Sequence, residues 1–287
     1  MNESRLRAFL AEGENAAHRY TLGVPRSTPV GISGATLSSR AGSSLEFRDH
    51  RAYEPGDDLR HIDWNAYART DQLTIKLFRE EVTPHIDIVV DGSQSMTLEG
   101  SEKGRATVAL SAFFASAAVR GGYSHMAWQL GETCEPIPNG NRLPSLWAGP
   151  TFPHTGGPPP TLPMWRPQGT RVLISDLFWL GEPMATLRPF AERAAVSVVV
   201  HLMARADAEP PEGKSLRLID SESGEMREIH VDAIAAKRYR DALGRHQQNW
   251  SAACRGVGAI FVPLIAEDLL RRWNLDALVA ADVLRVD

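Results

Sequence analysis

The sequence predicts an α/β fold in which a mostly parallel, doubly wound sheet lies between helices. From residue 84 onward, short apolar runs typical of buried strands alternate with helical segments, which indicates parallel strands joined by helical crossovers. The 287 residues are 43% hydrophobic and 23% charged, as is ordinary for a globular protein. This length suits either one large domain or a domain with an appended piece.

Predicted strands and helices alternate along the larger part of the chain. The strands are 85–90, 124–130, 171–175, 196–203 and 259–263, and the helices are 103–120, 184–194 and 232–255, with two more at the C-terminus. The helix at 103–120 is rich in Ala and Ser, so it can pack closely on a sheet. Residues 214–231 predict a β-hairpin, and the Pro-rich and Gly-rich residues 135–170 predict a long loop.

Residues 1–83 predict a smaller N-terminal element, separate from the α/β domain of residues 84–287. It begins with a short amphipathic helix, and its polar segment is too charged to form a core layer alone. Alternation at residues 73–78 indicates that this element is β-rich. We expect its aromatic residues, Tyr53 and Trp64 among them, to be buried anchors.

A carboxylate and two hydroxyls directly follow the first buried strand of the α/β domain. Asp91, Ser93 and Ser95 form a D-x-S-x-S sequence where α/β sheets place their ligands, outside the carboxyl ends of strands. Asp176 follows the strand at 171–175, so both aspartates are expected to face one crevice. Oxygen ligands of this kind suit Mg²⁺ or Mn²⁺. Because hydroxyls are neutral, the ion would keep most of its charge and attract a carboxylate from a partner.

The rest of the metal site is less defined by the sequence. Thr161, or less favourably Thr155, can lend a further hydroxyl from the long loop. The alternative is a purely structural role in which Asp91 caps the loop and the two serines begin a turn, since Asp and Ser are common turn residues.

Motifs of the common enzyme classes are absent from the sequence. It contains no G-x-S-x-G elbow, no H-E-x-x-H helix, no Cys/His cluster with zinc spacing and no G-x-x-x-x-G-K-[ST] loop. A haloacid-dehalogenase-like phosphatase also has an Asp directly after its first strand, within the motif D-x-D-x-T. In this sequence Ser93 stands in place of the second Asp of that motif, which would remove the general acid. We therefore predict a binding protein and no enzyme. A metal-dependent phosphatase or hydrolase is the alternative, and a metal-free structural scaffold is the third possibility.

The composition of the chain limits the classes of partner that the protein can bind and indicates its cellular location. A net charge of −4 gives no electrostatic case for nucleic-acid binding. The two cysteines lie far apart, which suits a reducing compartment. The first residues lack the apolar region of a signal peptide, and no apolar run approaches the ~20 residues that span a bilayer. These features predict a cytoplasmic protein without a membrane span.

Two stretches of the sequence resemble known families. The run from Asp91 to Met96, followed by the Ala-rich helix and later by Ile174-Ser-Asp176, resembles a von Willebrand factor type A domain. An upstream run resembles the signature of the bacterial DUF58 family, where it directly precedes such a domain. Its residues are Glu46-Phe47, Arg51, Tyr53, Gly56-Asp57, Arg60, Ile62-Asp63-Trp64 and Ala68-Arg69. The hairpin residues Arg217 to Gly224 also resemble this family.

The resemblance implies a Rossmann-like, von Willebrand A-type sheet with an adhesion-type metal site. Asp91, Ser93 and Ser95 match the first metal loop of that pattern, Asp176 matches the later aspartate, and Thr161 has no clean match. The resemblance also implies an adaptor role with a MoxR-type AAA+ ATPase. Many members of the family carry transmembrane helices, which this sequence lacks.

The charged residues of the upstream run have two interpretations. Arg51, Arg60, Asp63 and Arg69 can form a partner-binding surface. Alternatively, they form an internal salt-bridge network, because the planar guanidinium of Arg pairs well with carboxylates. The interleaved aromatic residues favour the internal network.

Overall fold

A computed structural model describes residues 1–23, 45–80, 84–97, 100–154, 162–163, 165–219 and 225–286. The chain divides into two compact units. The larger comprises Met1–Pro25 and His85–Asp287, and the smaller comprises Arg26–Pro84.

Helices and strands alternate along most of the described chain. The helices are α1 (Glu3–Ala16), α2 (Trp64–Thr70), α3 (Lys103–Arg120), α4 (Pro183–Ala191), α5 (Arg205–Ala208), α6 (Ala233–Gly256), α7 (Ala266–Arg272) and α8 (Asp276–Ala280). The strands are β1 (Tyr20–Leu22), β2 (Leu45–Ala52), β3 (Thr74–Glu80), β4 (His85–Asp91), β5 (Ser124–Leu130), β6 (Cys134–Pro136), β7 (Thr170–Ser175), β8 (Val196–Met203), β9 (Lys214–Ile219), β10 (Met226–Val231), β11 (Ile260–Ile265) and β12 (Leu284–Val286). In the part of the chain that the structure describes, no helix is both long and apolar enough to cross a membrane.

Six strands of the larger unit form one sheet in the order β11-β8-β7-β4-β5-β6, in which only β6 runs antiparallel to its neighbour. The predicted α/β class with a mostly parallel sheet is therefore confirmed. The chain passes from β4 to β5 on one side and then returns to β7 on the other side of β4. Open α/β sheets bind ligands at such a reversal of strand order, outside the carboxyl ends of the strands.

Apolar cores lie on both faces of this sheet. Ile86, Ile88 and Val90 of β4 share one core with residues of α1, α3 and α7, whereas Val89 lies in a second core with residues of α4 and α6. Successive side chains of a strand point to opposite faces. Helices on both faces therefore explain why β4 is a continuous apolar run.

The first residues of the chain fold with the larger unit, whereas the sequence grouped them with residues up to 83, and the junction between the units at Pro84 and His85 lies one residue from the predicted one. Helix α1 packs on α3 so closely that a Cβ at Gly13 would lie 1.9 Å from the carbonyl oxygen of Ala109. In addition, β1 pairs with β12, so that Tyr20 lies opposite Val286. These contacts between distant parts of the chain tie the N-terminus to the α/β sheet.

The smaller unit consists of an antiparallel pair, β2 and β3, with α2 between them in the chain. Among the side chains that the structure describes in this unit, Ile62 and Ile75 are the buried apolar ones, and an isolated β-bridge joins them. Trp64 is 61% exposed, so its predicted burial is wrong. The preceding Asp63 is the buried N-cap of α2 and takes the inward position, which leaves Trp64 facing outward.

Candidate functional site

The candidate site lies at the carboxyl ends of β4 and β7, where the strand order reverses. These strands are paired, with Val90 opposite Ile174, and Asp91 and Asp176 at their ends lie close enough for the charge of Asp176 to act on Asp91. Both aspartates are 1% exposed. Parallel strands thus bring two buried carboxylates, far apart in the sequence, to one edge of the sheet.

Among the described residues, the carboxylate of Asp91 accepts hydrogen bonds only from neutral groups. Its Oδ1 accepts from the backbone N–H of Ser93 at 2.9 Å, and its Oδ2 accepts from the hydroxyl of Ser175 at 2.5 Å. Sequence reasoning did not single out Ser175. Its position directly before Asp176, at the end of a buried strand, is the signal that could have indicated it.

The pKa of Asp91 is raised to about 6. Burial is the largest cause and the negative charge of Asp176 is the next, while hydrogen bonds from Ser175 and Ser93 act in the opposite direction. A cation close to Asp91 would favour its ionised form and reverse this shift.

The loop after β4 holds two hydroxyls side by side. The Oγ atoms of Ser93 and Ser95 are 2.9 Å apart. The segment at His154 fixes the loop, because it accepts a hydrogen bond from Gln94 N and donates one to the carbonyl of Gly92. A Cβ at Gly92 would lie 2.7 Å from a backbone oxygen of β5, so this position requires glycine.

A buried lysine accompanies the two aspartates. The Nζ of Lys103, the first residue of α3, lies 2.8 Å from Asp176 Oδ2 and 3.0 Å from Asp207 Oδ2. Its side chain is 1% exposed. Burial lowers its pKa, but the charges and hydrogen bonds of the two aspartates outweigh burial and raise it above the ordinary value. The ammonium therefore stays charged, and sequence reasoning missed it.

The turn after β7 fixes the orientation of Asp176. Asp176 Oδ1 accepts from the backbone N–H of Phe178 at 3.3 Å, and the Ser175 hydroxyl accepts from Leu177 N at 2.8 Å. Leu177 is buried and has a φ of 60°. A bulky residue rarely adopts this left-handed conformation, which occurs where the surrounding structure imposes it.

Part of the predicted ligand set fits a hard divalent cation. Neighbouring oxygens around octahedral Mg²⁺ lie about 2.8–3.0 Å apart when each bond is about 2.0–2.1 Å. The separation of the Ser93 and Ser95 hydroxyls matches this spacing. Thr161 and Thr155 lie outside the described residues. Within the described ranges, no group of three or more His, Cys, Asp or Glu side chains is arranged to hold a metal, so any site here depends on the hydroxyls.

The charged residues of the smaller unit contact one another. Arg51 binds Asp57 through two hydrogen bonds of 2.6 and 2.8 Å. Asp63 caps α2 by accepting from two backbone N–H groups and lies 2.7 Å from His50 Nε2. These contacts agree with the internal-network interpretation.

Two arginines predicted to bind a partner are more exposed. Arg60 pairs with Asp58 at 2.6 Å, and its side chain is 76% exposed. The Nε of Arg69 donates to the carbonyl of Asn65. Partner binding by Arg51, Arg60, Asp63 and Arg69 stays a prediction.

Residues 49–142 match the model of a family described as a protein of unknown function, DUF58. This match confirms the resemblance identified from the sequence. The chain is also similar to the uncharacterized proteins Mb1516 of Mycobacterium bovis and Rv1480 of Mycobacterium tuberculosis. Each is 26% identical, and the alignment covers 85% of this chain and 81% of the relative.

Three solved structures also align with the chain. One is the conserved hypothetical protein BatB of Bacteroides thetaiotaomicron, with a TM-score of 0.31, 9% identity and coverage of 69% of this chain and 98% of that chain. Another is an aerotolerance-related membrane protein of Bacteroides fragilis, with a TM-score of 0.28, 11% identity and coverage of 68% and 98%. The third is an uncharacterized membrane spanning protein of Vibrio fischeri, with a TM-score of 0.18, 14% identity and coverage of 68% and 95%.

The cytoplasmic location predicted from the sequence is corrected by this comparison, because two of these proteins are described as membrane proteins. The prediction relied on the lack of an apolar segment. Such a lack does not establish where a protein resides, and the cytoplasmic location is not retained.

Proposed function

We propose that this protein is an interaction module that binds a partner through a divalent cation at the carboxyl edge of its sheet. The cation would be Mg²⁺ or Mn²⁺, held by the hydroxyls of Ser93 and Ser95 together with Asp91, directly or through water. When bound, it would supply an open coordination position to a carboxylate of the partner. Thr161 is a candidate for a further hydroxyl ligand.

The observation that carries this proposal is an excess of buried negative charge beside two adjacent hydroxyls. Asp91 and Asp176 lie together with Asp207, and the structure places the single ammonium of Lys103 between the last two. Among the described residues Asp91 has only neutral donors, and burial, followed by the negative charge of Asp176, raises its pKa to about 6. A divalent cation would balance this charge.

The fold and the position of the D-x-S-x-S loop also support this proposal. A parallel sheet with a D-x-S-x-S loop at its strand-order reversal is what a von Willebrand A-type domain would present, and we propose that the larger unit is such a domain. The resemblance to the DUF58 family makes a MoxR-type AAA+ ATPase, or a client that it remodels, the first partner to test.

The test is calorimetric titration of Mg²⁺ and Mn²⁺, together with thermal unfolding in each metal and in EDTA. We compare the wild type with Asp91→Asn and Ser93→Ala. A ligand that binds only the native state stabilises it by about 1.4 kcal/mol at ~10 Kd. We expect a metal-dependent rise in the wild type that both variants lose.

Two buried residues at the amino end of the sheet provide matched controls. Asp87→Asn removes a buried carboxylate from the same strand as Asp91, and Ser197→Ala removes a buried hydroxyl from β8. Both controls should keep the metal response. Absence of any response in the wild type would contradict the proposal. Metal-dependent hydrolysis of a generic phosphoester that Asp91→Asn abolishes would replace it with the phosphatase alternative.

A further inference from the structure

The starting observation is that Lys103 is fully buried and ionised. Burying an ammonium is costly unless oxygen partners compensate for its lost hydration. Here the partners are two carboxylates from different elements: Asp176 directly after β7 and Asp207 in α5. Asp176 is as buried as the lysine, whereas Asp207 is only partly buried.

This pairing makes the two aspartates of the candidate site unequal. Each oxygen of Asp176 already has a partner: Oδ2 binds the Lys103 ammonium, and Oδ1 accepts from the N–H of Phe178. Asp91 has no cation of its own among the contacts that the structure describes, and its donors are a hydroxyl and a backbone N–H. A cation entering the site therefore meets one free negative charge and one that is already neutralised.

We propose that Lys103 is a resident counter-ion that withholds Asp176 from the divalent cation and thereby sets the affinity of the site. This inference rests on the proposed function and adds the residue that limits it. With Asp176 held by the ammonium, the ligand set reduces to Asp91, Ser93 and Ser95. An incoming cation is also repelled by the fixed positive charge of Lys103. The affinity of the isolated protein is then low, and a partner's carboxylate supplies the missing negative ligand.

The decisive experiment is calorimetric titration of Mn²⁺ into the full chain and into a charge-matched double variant, Lys103→Met with Asp207→Asn. The double variant removes one positive and one negative charge, so the net charge of the cluster is unchanged while Asp176 becomes free. We expect the Kd for Mn²⁺ to fall at least about tenfold, because ligand charge strongly tunes cation affinity. Asp207→Asn alone should bind no more tightly than the wild type, because Lys103 then still holds Asp176. Far-UV circular dichroism checks that each variant is folded.

A second comparison leaves residue 103 untouched and applies if the double variant does not fold. Asp91→Asn and Asp176→Asn each remove one carboxylate charge from the same edge of the sheet. We expect Asp91→Asn to abolish Mn²⁺ binding, since only Asp91 is a free ligand. Asp176→Asn should still bind Mn²⁺, with a Kd at least about tenfold lower than that of Asp91→Asn. Equal losses in the two variants would overturn the inference.

The outcomes separate this inference from the proposed function. A wild type that binds Mn²⁺ through Asp91 with the same Kd as the double variant would keep the function and overturn the role of Lys103. A double variant that binds while the wild type does not would support the role of Lys103 and contradict the proposed function. Absence of binding in both would overturn both.

Discussion

The aspartates of the two units have opposite electrostatic settings. In the smaller unit, Asp57 pairs with Arg51 and Asp63 with His50, and these hydrogen bonds lower the pKa of each aspartate, that of Asp63 to about 2. In the larger unit, burial and a second carboxylate raise the pKa of Asp91 to about 6. Aspartates of the first kind stabilise their own unit, whereas Asp91 carries a charge that the fold leaves uncompensated.

The difference follows from where the partners lie in the sequence. Arg51 and Asp57 are six residues apart, so one local segment supplies both charges. At the sheet edge, Lys103 and Asp176 are 73 residues apart and meet only when the sheet is complete. A carboxylate matched by local donors indicates a structural role, and one left in excess at a strand-order reversal indicates a ligand site.

Removing Asp176 tests the sheet-edge network most strongly. We expect Asp176→Asn to lower the free energy of unfolding by about 3 kcal/mol, because it leaves a buried ammonium without its most buried partner. Urea denaturation in EDTA measures this loss. Asp207→Asn is the matched control and should cost clearly less, since Asp207 is partly exposed. Equal losses, or none, would show that Lys103 does not depend on Asp176.

The pH dependence of stability tests the raised pKa of Asp91. A carboxyl with a folded pKa of about 6 holds its proton more tightly in the native state than in the unfolded chain. Stability in EDTA should therefore fall as the pH rises from about 4 to above 6. In Asp91→Asn this contribution is absent, so the variant should be more stable than the wild type at pH 8 by up to about 3 kcal/mol.

Denaturation midpoints of both proteins from pH 4 to pH 8 provide the measurement, and the difference between them isolates Asp91 from other titrating groups. A difference that does not change with pH would mean that Asp91 titrates normally.

In the smaller unit we expect the opposite pH dependence of stability. The hydrogen bond with His50, together with those from the N–H groups of Ala66 and Asn65, lowers the pKa of Asp63 to about 2. Its contribution is present above the unfolded pKa of about 4 and is lost as the pH falls towards 2. We expect Asp63→Ala to speed hydrogen exchange of the α2 amides by roughly fivefold or more, because the helix loses its N-cap. Asp63→Ser, which keeps a cap, should retain most of the protection, and equal exchange in the two variants would contradict the capping role.

Much of the fold could be predicted because its signals are local. The apolar run of β4 and the Ala-rich α3, closed by Gly121-Gly122, define their own boundaries. The proximity of Asp91 and Asp176 could also be expected from the sequence, since parallel strands bring their carboxyl ends to one edge of the sheet. The pairing of β1 with β12 was missed because it joins two three-residue strands from opposite ends of the chain.

The partner of Asp176 could not be predicted in the same way. A lysine at a helix start is ordinarily solvent-exposed, and no spacing rule indicates that Lys103 is buried. The available signal was indirect: α3 is apolar on nearly every side, so a charged residue of its first turn that faces the core needs carboxylate partners. Such a signal indicates that a partner exists without identifying it.

The smallest effect is expected at Arg60, which should contribute almost nothing to the stability of the smaller unit. Its ion pair with Asp58 spans two residues and is exposed, and such pairs contribute little because solvent screens them and both side chains lose conformational freedom. Arg60→Ala should leave the thermal midpoint within about one degree of the wild type. Arg51→Ala should lower it more, since Arg51 makes a bidentate contact with Asp57, which is only partly exposed. If Arg60→Ala abolished binding of a partner while leaving this midpoint unchanged, the exposed part of the network would serve recognition, and only its buried part would be structural.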